Sequence, residues 1–389
     1  MVINYFICTI GIFTLFNVFT VSESEKLQCM GEDNKPVDWF IIYKLPKLEK
    51  VKRAAADAND DGGKKYLYMS SSTMRSPGWK YPAKLISDVD SIPGITLKPL
   101  YVEGKQDQVW ILYNDQPPEG SKVKGAHGHT KGVVAANKEG GFWIVHSVPR
   151  FPEVPSAEGQ YSYPDSGHNN GQTFLCMTLG SKEIEKVAKQ LQFNQAGVYY
   201  SFYSQTLDSL YPTLVSVAKK TAYKLDEDFN IEEIKTSANN VFTSFAKSQL
   251  YAKDIYEELV APTLKSSMDV ETWRNGVGPL ISNCTKTFAV KNVEEVQLCV
   301  KKECDSFPST KDHSKWAASE DQTNPWICIG DINRAASQGK RGGGTVCMKN
   351  AKVWNAFHQA VESVEACNLP PKSPKEKVPK DTIPTAVLA

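Results

Sequence analysis

The sequence predicts an α/β protein of the α+β kind, built from two pseudo-symmetric lobes. Three observations predict it. Short runs rich in aromatic and β-branched residues alternate with stretches of helical spacing. A His-x-Lys triplet occurs twice, as His129-Thr130-Lys131 and His313-Ser314-Lys315. Each triplet is followed by a Trp-Ile segment and then an arginine: Phe142-Trp143-Ile144-Val145 with Arg150, and Pro325-Trp326-Ile327-Cys328 with Arg334. Lysine to arginine is 19 positions in both halves, and lysine to tryptophan is 12 and 11. A chain of 389 residues fits two domains, or one large domain with two lobes.

The elements follow in order. Asp38-Trp39-Phe40-Ile41-Ile42-Tyr43-Lys44 reads as a first strand and Lys65 to Ser70 as a second, with a polar loop over 52–65 between them. Val109 to Tyr113 is a third strand, stopped by Asn114-Asp115 and Pro117-Pro118. The loop 117–126 leads into the first triplet. Gly132 to Ala136 continues as a strand, Lys138-Glu139-Gly140-Gly141 turns, and Phe142 to Val148 returns with His146. Residues 149–172 form a long Pro-, Gly- and Tyr-rich loop, and Thr173 to Thr178 is a buried strand. Ser181 caps a helix carrying Ile184, Val187, Ala188 and Leu191. Residues 206–265 show mixed helical patterns, including Val241, Phe245 and Leu250. After the second triplet come the 325–334 segment, the turn Gly339-Lys340-Arg341-Gly342-Gly343-Gly344 and a strand from Thr345 to Met348. Val353, Phe357, Val361 and Val364 mark a final amphipathic helix.

Composition is that of an ordinary globular protein, with 41% hydrophobic and 23% charged residues and a net charge of +1. The near-neutral charge excludes a histone-like binder, although a local basic groove can sit on a neutral body. Residues 3–21 are apolar and uncharged, so 1–22 reads as a secretory signal peptide, the competing reading being an N-terminal membrane anchor. No later segment is long and apolar enough to span a bilayer. The organisation is then a first lobe over 23–200, a second over 201–368 and a disordered Pro/Lys-rich tail over 369–389. Cys8 leaves with the signal. Cys29, Cys176, Cys284, Cys299, Cys304, Cys328, Cys347 and Cys367 remain, and an even count in an exported chain implies disulfides in one of 105 connectivities. Asn283-Cys284-Thr285 is a glycosylation sequon at Asn283.

The triplets carry the chemistry. Residues i and i+2 of an extended segment share a face, so His-x-Lys sets an imidazole beside an ammonium. Imidazole can attack phosphorus or donate a proton, and lysine can hold phosphate charge. Two facing pairs would surround one phosphodiester. His146 is a third candidate, against the reading of a buried strand histidine. Asn333 could orient phosphate or histidine, or be a turn residue. Ser147 and Asp331 are weaker candidates. Lys340 and Arg341 could contact DNA phosphates or form a solvated turn. His127-x-His129 lacks an acidic or cysteine partner, so no metal site is expected. Trp316 reads as core.

More motifs recur along the chain: Pro36-Val37-Asp38-Trp39-Phe40, Tyr43-Lys44-Leu45-Pro46, Leu112-Tyr113-Asn114-Asp115-Gln116-Pro117-Pro118, Gly128-His129-Thr130-Lys131-Gly132, Gly140 to Pro149, Gly171-Gln172-Thr173, Asp312-His313-Ser314-Lys315-Trp316, Gly330-Asp331-Ile332-Asn333-Arg334 and Arg341 to Cys347. With these the chain resembles the deoxyribonuclease II family, within a phospholipase D-like superfamily, from about Cys29 to Cys367. The resemblance implies a phospholipase D-like fold, each lobe a mixed β-sheet flanked by helices, with one shared central site. It implies an acid endonuclease, secreted or lysosomal, that cuts DNA without metal or other cofactor and leaves 3′-phosphate ends. His313 and His129 would supply nucleophile and general acid, Lys131 and Lys315 would hold phosphate, and His146 and Asn333 would join the site. Mild acidity would keep one imidazole of ordinary pKa, about 6.5, protonated. The resemblance also implies the pairs Cys29–Cys176, Cys284–Cys367 and Cys328–Cys347, leaving Cys299–Cys304. Ala317 stands where many family members have a cysteine. DNA is the expected partner, no membrane contact is expected after signal cleavage, and the sequence is compatible with a homodimer. The competing functions are a catalytically silent exported protein that binds DNA or a host partner, and a lipid phosphodiesterase.

Overall fold

The computed structural model describes residues 26–48, 62–102, 105–123, 126–156, 159–221 and 224–367. The expected signal segment 1–22, most of the 52–65 loop and the tail 369–389 lie outside the described residues. Two sheets organise the chain. The first contains β1 (Trp39–Lys44), β2 (Tyr66–Ser70), β3 (Gln108–Asn114), β4 (Lys131–Asn137), β5 (Gly140–His146), β6 (Gln172–Leu179) and β7 (Val198–Tyr203), in the spatial order β2-β1-β6-β5-β4-β3-β7. The second contains β8 (Phe229–Lys235), β9 (Val241–Lys247), β10 (Met268–Glu271), β11 (Val290–Val300), β12 (Glu303–Pro308), β13 (Trp316–Ser319), β14 (Trp326–Gly330), β15 (Gly343–Lys349) and β16 (Val361–Val364). Its order is β12-β11-β10-β13-β14-β15-β9-β8, with β16 pairing β11.

The five central strands of each sheet match in both chain order and spatial order. β1-β6-β5-β4-β3 corresponds to β9-β15-β14-β13-β10. In both, a helix follows the strand after the hairpin: α2 (Ser181–Phe193) after β6, α6 (Ala351–His358) after β15. Helical segments also separate the first and second strands of each set: α1 (Ile92–Tyr101) before β3, and a π-turn with α4 (Ala261–Leu264) before β10. The remaining helices are α3 (Pro212–Ala218) and α5 (Ala336–Gly339). The expected mixed sheet holds for the second sheet, where β10 and β11 run parallel. It fails for the first, in which every neighbouring pair is antiparallel. The two-residue turn Lys138-Glu139 between β4 and β5 enforces that direction, whereas parallel neighbours need a long crossover.

Both faces of most central strands are buried, which is why β1, β3, β5 and β6 read as apolar runs, whereas the outer strands β8, β12 and β16 are partly exposed. On β1, Trp39, Ile41 and Tyr43 enter a core shared by the two sheets, while Phe40 and Ile42 enter an outer cluster. On β14, Ile327 and Ile329 face the shared core and Cys328 the opposite outer cluster. Trp316 is fully buried in the shared core, as expected. All four disulfides form as the resemblance implied: Cys29–Cys176, Cys284–Cys367, Cys299–Cys304 and Cys328–Cys347. No helix among the described residues is long and apolar enough to cross a membrane.

The helical reading of 206–265 is corrected. Only α3, α4 and short turns are helical there, and Val241 and Phe245 lie on β9. A spacing of four satisfies both a helical and a strand period, so it could not discriminate. The final helix stops at His358, and Val361 and Val364 belong to β16. Gly180, rather than Ser181, takes the cap position of α2.

Candidate active site

The two triplets meet where the sheets adjoin, and each is held by the opposite half. The His129 N–H donates to Gly342 O at 2.8 Å, and the His313 N–H donates to Gly171 O at 2.9 Å. Gly171 and Gly342 each stand immediately before the corresponding strand, β6 or β15. The imidazoles follow the same rule. His129 Nδ1 is 2.7 Å from Gln338 Oε1. His313 Nδ1 is 2.9 Å from Ser147 O and 3.3 Å from Gln172 Oε1. Gly128 and Gly342 make the seam this tight. A Cβ on Gly128 would lie 2.0 Å from Asn194 O, and one on Gly342 would lie 2.3 Å from the same atom.

Around His129 the charges converge on Asp115. Lys131 Nζ donates to Asp115 Oδ1, Arg341 reaches Oδ2 at 3.2 Å, and His129 Nε2 is 3.7 Å from Oδ2. Arg341 also donates to Gly128 O at 3.1 Å. Around His313, the Trp273 ring lies with its centroid 5.2 Å from the imidazole. Lys315 Nζ donates to His313 O at 2.5 Å. The neighbouring Asp312 accepts from Tyr43 Oη and from Ser314 Oγ, the latter at 2.8 Å. Glu271, at the end of β10, is fully buried, with no hydrogen-bond partner for either carboxylate oxygen among the described residues.

The electrostatics couple the halves. Burial, then Lys131, draws the His129 pKa down to about 3, with Asp115 opposing. Burial, then Lys315, Lys131 and His129, hold His313 well below its ordinary value. Lys315 is likewise lowered by burial and then by Lys131, with Asp312, Asp115 and Glu271 opposing. Burial works against ionising Asp115, but Lys131, His129 and Arg341 outweigh it and hold the carboxyl well below its usual range. Asp331, buried between the halves, is pushed up to about 7 by burial, against a hydrogen bond from the Gly344 N–H. In the substrate-free protein burial and the neighbouring ammonium groups thus disfavour the protonated form of both imidazoles, unlike imidazoles of ordinary pKa.

The other sequence-derived candidates are placed as follows. His146 ends β5 with its ring against Phe151 and Phe174, in the outer cluster of the first sheet. Its Nδ1 accepts from the Val148 N–H at 3.1 Å, and it has no hydrogen bond to either triplet. Ser147 touches His313 through its carbonyl, while its hydroxyl donates to Gln172. Asn333 is buried, with its Oδ1 lacking a partner among the described residues. Lys340 is exposed and Arg341 is part of the Asp115 cluster. Arg150 and Arg334, equally spaced in the repeat, differ. Arg150 pairs with exposed Glu119, whereas Arg334 is buried against Asp254, Glu257 and Asn292. Asn283, in the sequon, accepts from Thr285 and donates to Glu257. Among the described residues no group of three His, Cys, Asp or Glu side chains is placed to hold a metal ion.

Sequence reasoning did not single out Asp115, Gln172, Gln338, Trp273 or Glu271. Asp115 and Gln172 had a signal, since they lie in the Asn-Asp-Gln-Pro-Pro and Gly171-Gln172-Thr173 motifs.

Two imidazoles and two ammonium groups arranged across a seam equip a hydrolase to act on a phosphodiester, which is the equipment of a nuclease. The particular family follows from comparison. The chain belongs to the deoxyribonuclease II family, whose profile matches residues 28–367. It is 37% identical over 359 residues to Plancitoxin-1 of Acanthaster planci, covering 91% of this chain and 96% of that protein. It is 37% identical over 353 residues to Deoxyribonuclease-2-alpha of Rattus norvegicus, covering 88% and 95%. Cell-death-related nuclease 7 of Caenorhabditis elegans is 34% identical, with 91% of each chain covered. The chain is accordingly a hydrolase of the deoxyribonuclease II type.

Proposed function

We propose that the chain is an endonuclease that cuts DNA in acid without metal, through a histidine nucleophile and a histidine acid, leaving 3′-phosphate and 5′-hydroxyl ends. It does so in a phospholipase D-like fold whose lobes, 23–200 and 201–368, share one site. The observation that carries this reading is the reciprocal holding of the two triplets, each imidazole fixed by the other half. The matching five-strand order of the two sheets supports the two-lobe reading. The four disulfides and the apolar leader support a secreted or lysosomal compartment.

Both Nδ1 atoms face oxygen acceptors, so the division of labour is read from the charge beside Nε2, where His129 has Asp115. A backbone carbonyl only accepts, so Ser147 O keeps the proton on His313 Nδ1 and leaves the Nε2 lone pair for phosphorus. His313 is the nucleophile. Burial and then Lys315 lower its pKa, which favours the neutral, nucleophilic ring. His129 is the acid, because the Asp115 carboxylate favours its protonated form. Lys131 and Lys315 hold the non-bridging oxygens. Phosphodiester charge placed among them raises both imidazole pKa values, so substrate binding charges the acid.

In the first step, His313 Nε2 bonds to phosphorus as the P–O5′ bond breaks and His129 passes its proton to the departing oxygen. In the second, neutral His129 takes a proton from water, the resulting hydroxide attacks phosphorus and the P–N bond breaks. The strand retains a 3′-phosphate. His146 directly precedes Ser147, whose carbonyl holds His313, and Asn333 is buried three residues beyond β14.

The test is plasmid cleavage at about pH 5 in EDTA, a pH chosen so that histidine chemistry is accessible. Wild type is expected to nick the plasmid, and His313→Ala and His129→Ala each to lose cutting, since the first lacks the nucleophile and the second the acid for the departing oxygen. Equal cutting by His313→Ala refutes the assignment, and EDTA-sensitive cutting refutes the metal-free route. Binding without cutting by wild type supports the silent DNA-binding alternative.

A further inference from the structure

The loops that reach across to hold the two histidines are themselves pinned, and by the same residue type at the same place in each repeat. Lys44 ends β1, and Lys247 ends β9, the corresponding strand of the second sheet. Both are buried, at 0% and 1% exposure, which lysines avoid unless their ammonium is satisfied. Lys247 lies opposite Gly343, the first residue of β15, and Lys44 lies opposite Gln172, the first residue of β6. Lys247 Nζ donates to three carbonyls of the preceding loop: Gln338 at 3.1 Å, Gly339 at 2.9 Å and Arg341 at 2.5 Å. Lys44 Nζ donates to His168 O at 2.8 Å, in the loop before Gly171 and Gln172.

These loops carry the contacts to both histidines. The 338–342 loop gives His129 its Gln338 and Gly342 contacts and places Arg341 on Asp115. The loop over 168–172 gives His313 its Gly171 and Gln172 contacts. Resting on the two-histidine reading above, we propose that Lys44 and Lys247 are a pair of positioning residues, each pinning the loop that fixes the histidine of the opposite repeat. Lys247 thus acts on His129, and Lys44 acts on His313. An ammonium has three N–H donors and the loop offers Lys247 three carbonyls, so the match is complete while the group is charged. Burial draws Lys247 only to about 8, so it stays charged in acid, with Asp254 favouring the charge.

The experiment uses the full chain with plasmid DNA in EDTA, together with 15N-histidine NMR of the ring nitrogens. Lys247→Met is expected to lower kcat by about 10- to 100-fold with KM changed less than about twofold, as for lost positioning rather than lost binding. It is expected to perturb the His129 ring signals and leave those of His313 in place. Lys44→Met is expected to show the reverse. Gln338→Ala, which removes only the side-chain contact to His129, serves if Lys247→Met folds poorly. It should give the same loss of kcat, and the double variant should lose no more than either single change. Loss of thermal stability with kcat and both ring signals unchanged overturns the proposal, as does an effect of Lys247→Met on His313. If His129→Ala keeps full kcat, the two-histidine reading fails instead.

Discussion

Asp115→Asn isolates the charge beside His129, the proposed acid. The Asp115 Oδ2 lies 3.7 Å from His129 Nε2. At an effective dielectric of about 20 that separation corresponds to about 4 kcal/mol of attraction for the imidazolium, or roughly 3 pKa units. The carboxylate favours the charged ring, so its removal lowers a pKa already drawn to about 3. At fixed acid pH each unit of depression removes roughly tenfold of the protonated donor, so kcat/KM at about pH 5 is expected to fall by about 10- to 1,000-fold. The same change releases Lys131 and Arg341 from their shared carboxylate. DNA then meets two uncompensated cations, so KM is expected to fall and the salt dependence of binding to steepen. The assay is initial nicking rate against DNA concentration, from about pH 4 to about pH 7, at two salt concentrations. An unchanged kcat/KM profile, or a KM that rises, refutes the assignment of Asp115 as the counter-charge to the acid.

Three further outcomes follow from buried groups. Asp331 has a folded pKa of about 7 against about 3.9 unfolded. Its ionised form is the disfavoured one, so native stability is lost as pH rises from about 4 and the loss is complete above about 7. Asp331→Asn should therefore match wild type in urea midpoint near pH 4 and exceed it at about pH 8, by at most about 4 kcal/mol; equal midpoints at both pH values count against this. Arg334→Met leaves Asp254 and Glu257 without their buried cation and should cost about 3–5 kcal/mol in urea unfolding. Removing the Cys29–Cys176 bridge, with its separation of 147 residues, should cost about 5 kcal/mol on the chain-entropy account, against about 2 kcal/mol for Cys299–Cys304. Comparable losses would discount that account here.

What the sequence disclosed depended on where the information resides. β1, β3, β5 and β6 were legible because both of their faces are buried, and apolar runs record that directly. The triplets were legible because their chemistry lies in side chains. α1 went unread because Pro93, Gly94 and Pro99 weaken a helical pattern, although Ser91 caps it by accepting from the Gly94 N–H at 3.2 Å. The strand β9 was misread because Val241 and Phe245 fit two periods. The partners of the histidines were illegible for another reason. Gly171 O, Gly342 O and Ser147 O are backbone atoms, and any residue type can supply a carbonyl. Only the folded chain reveals that each is contributed by the opposite repeat.

That exchange of supports has a consequence for how the site can fail or arise. Neither repeat contains a finished half of the candidate active site. Each contains one imidazole and the clasp for the other. A single repeat standing alone would present a histidine with its Nδ1 unsupported and a clasp with nothing to hold. Two copies of such a repeat, brought together as a symmetric pair, would complete both at once. Parting the two sheets likewise unfastens both imidazoles in one event, so the intact enzyme would lose the proposed nucleophile and the proposed acid together.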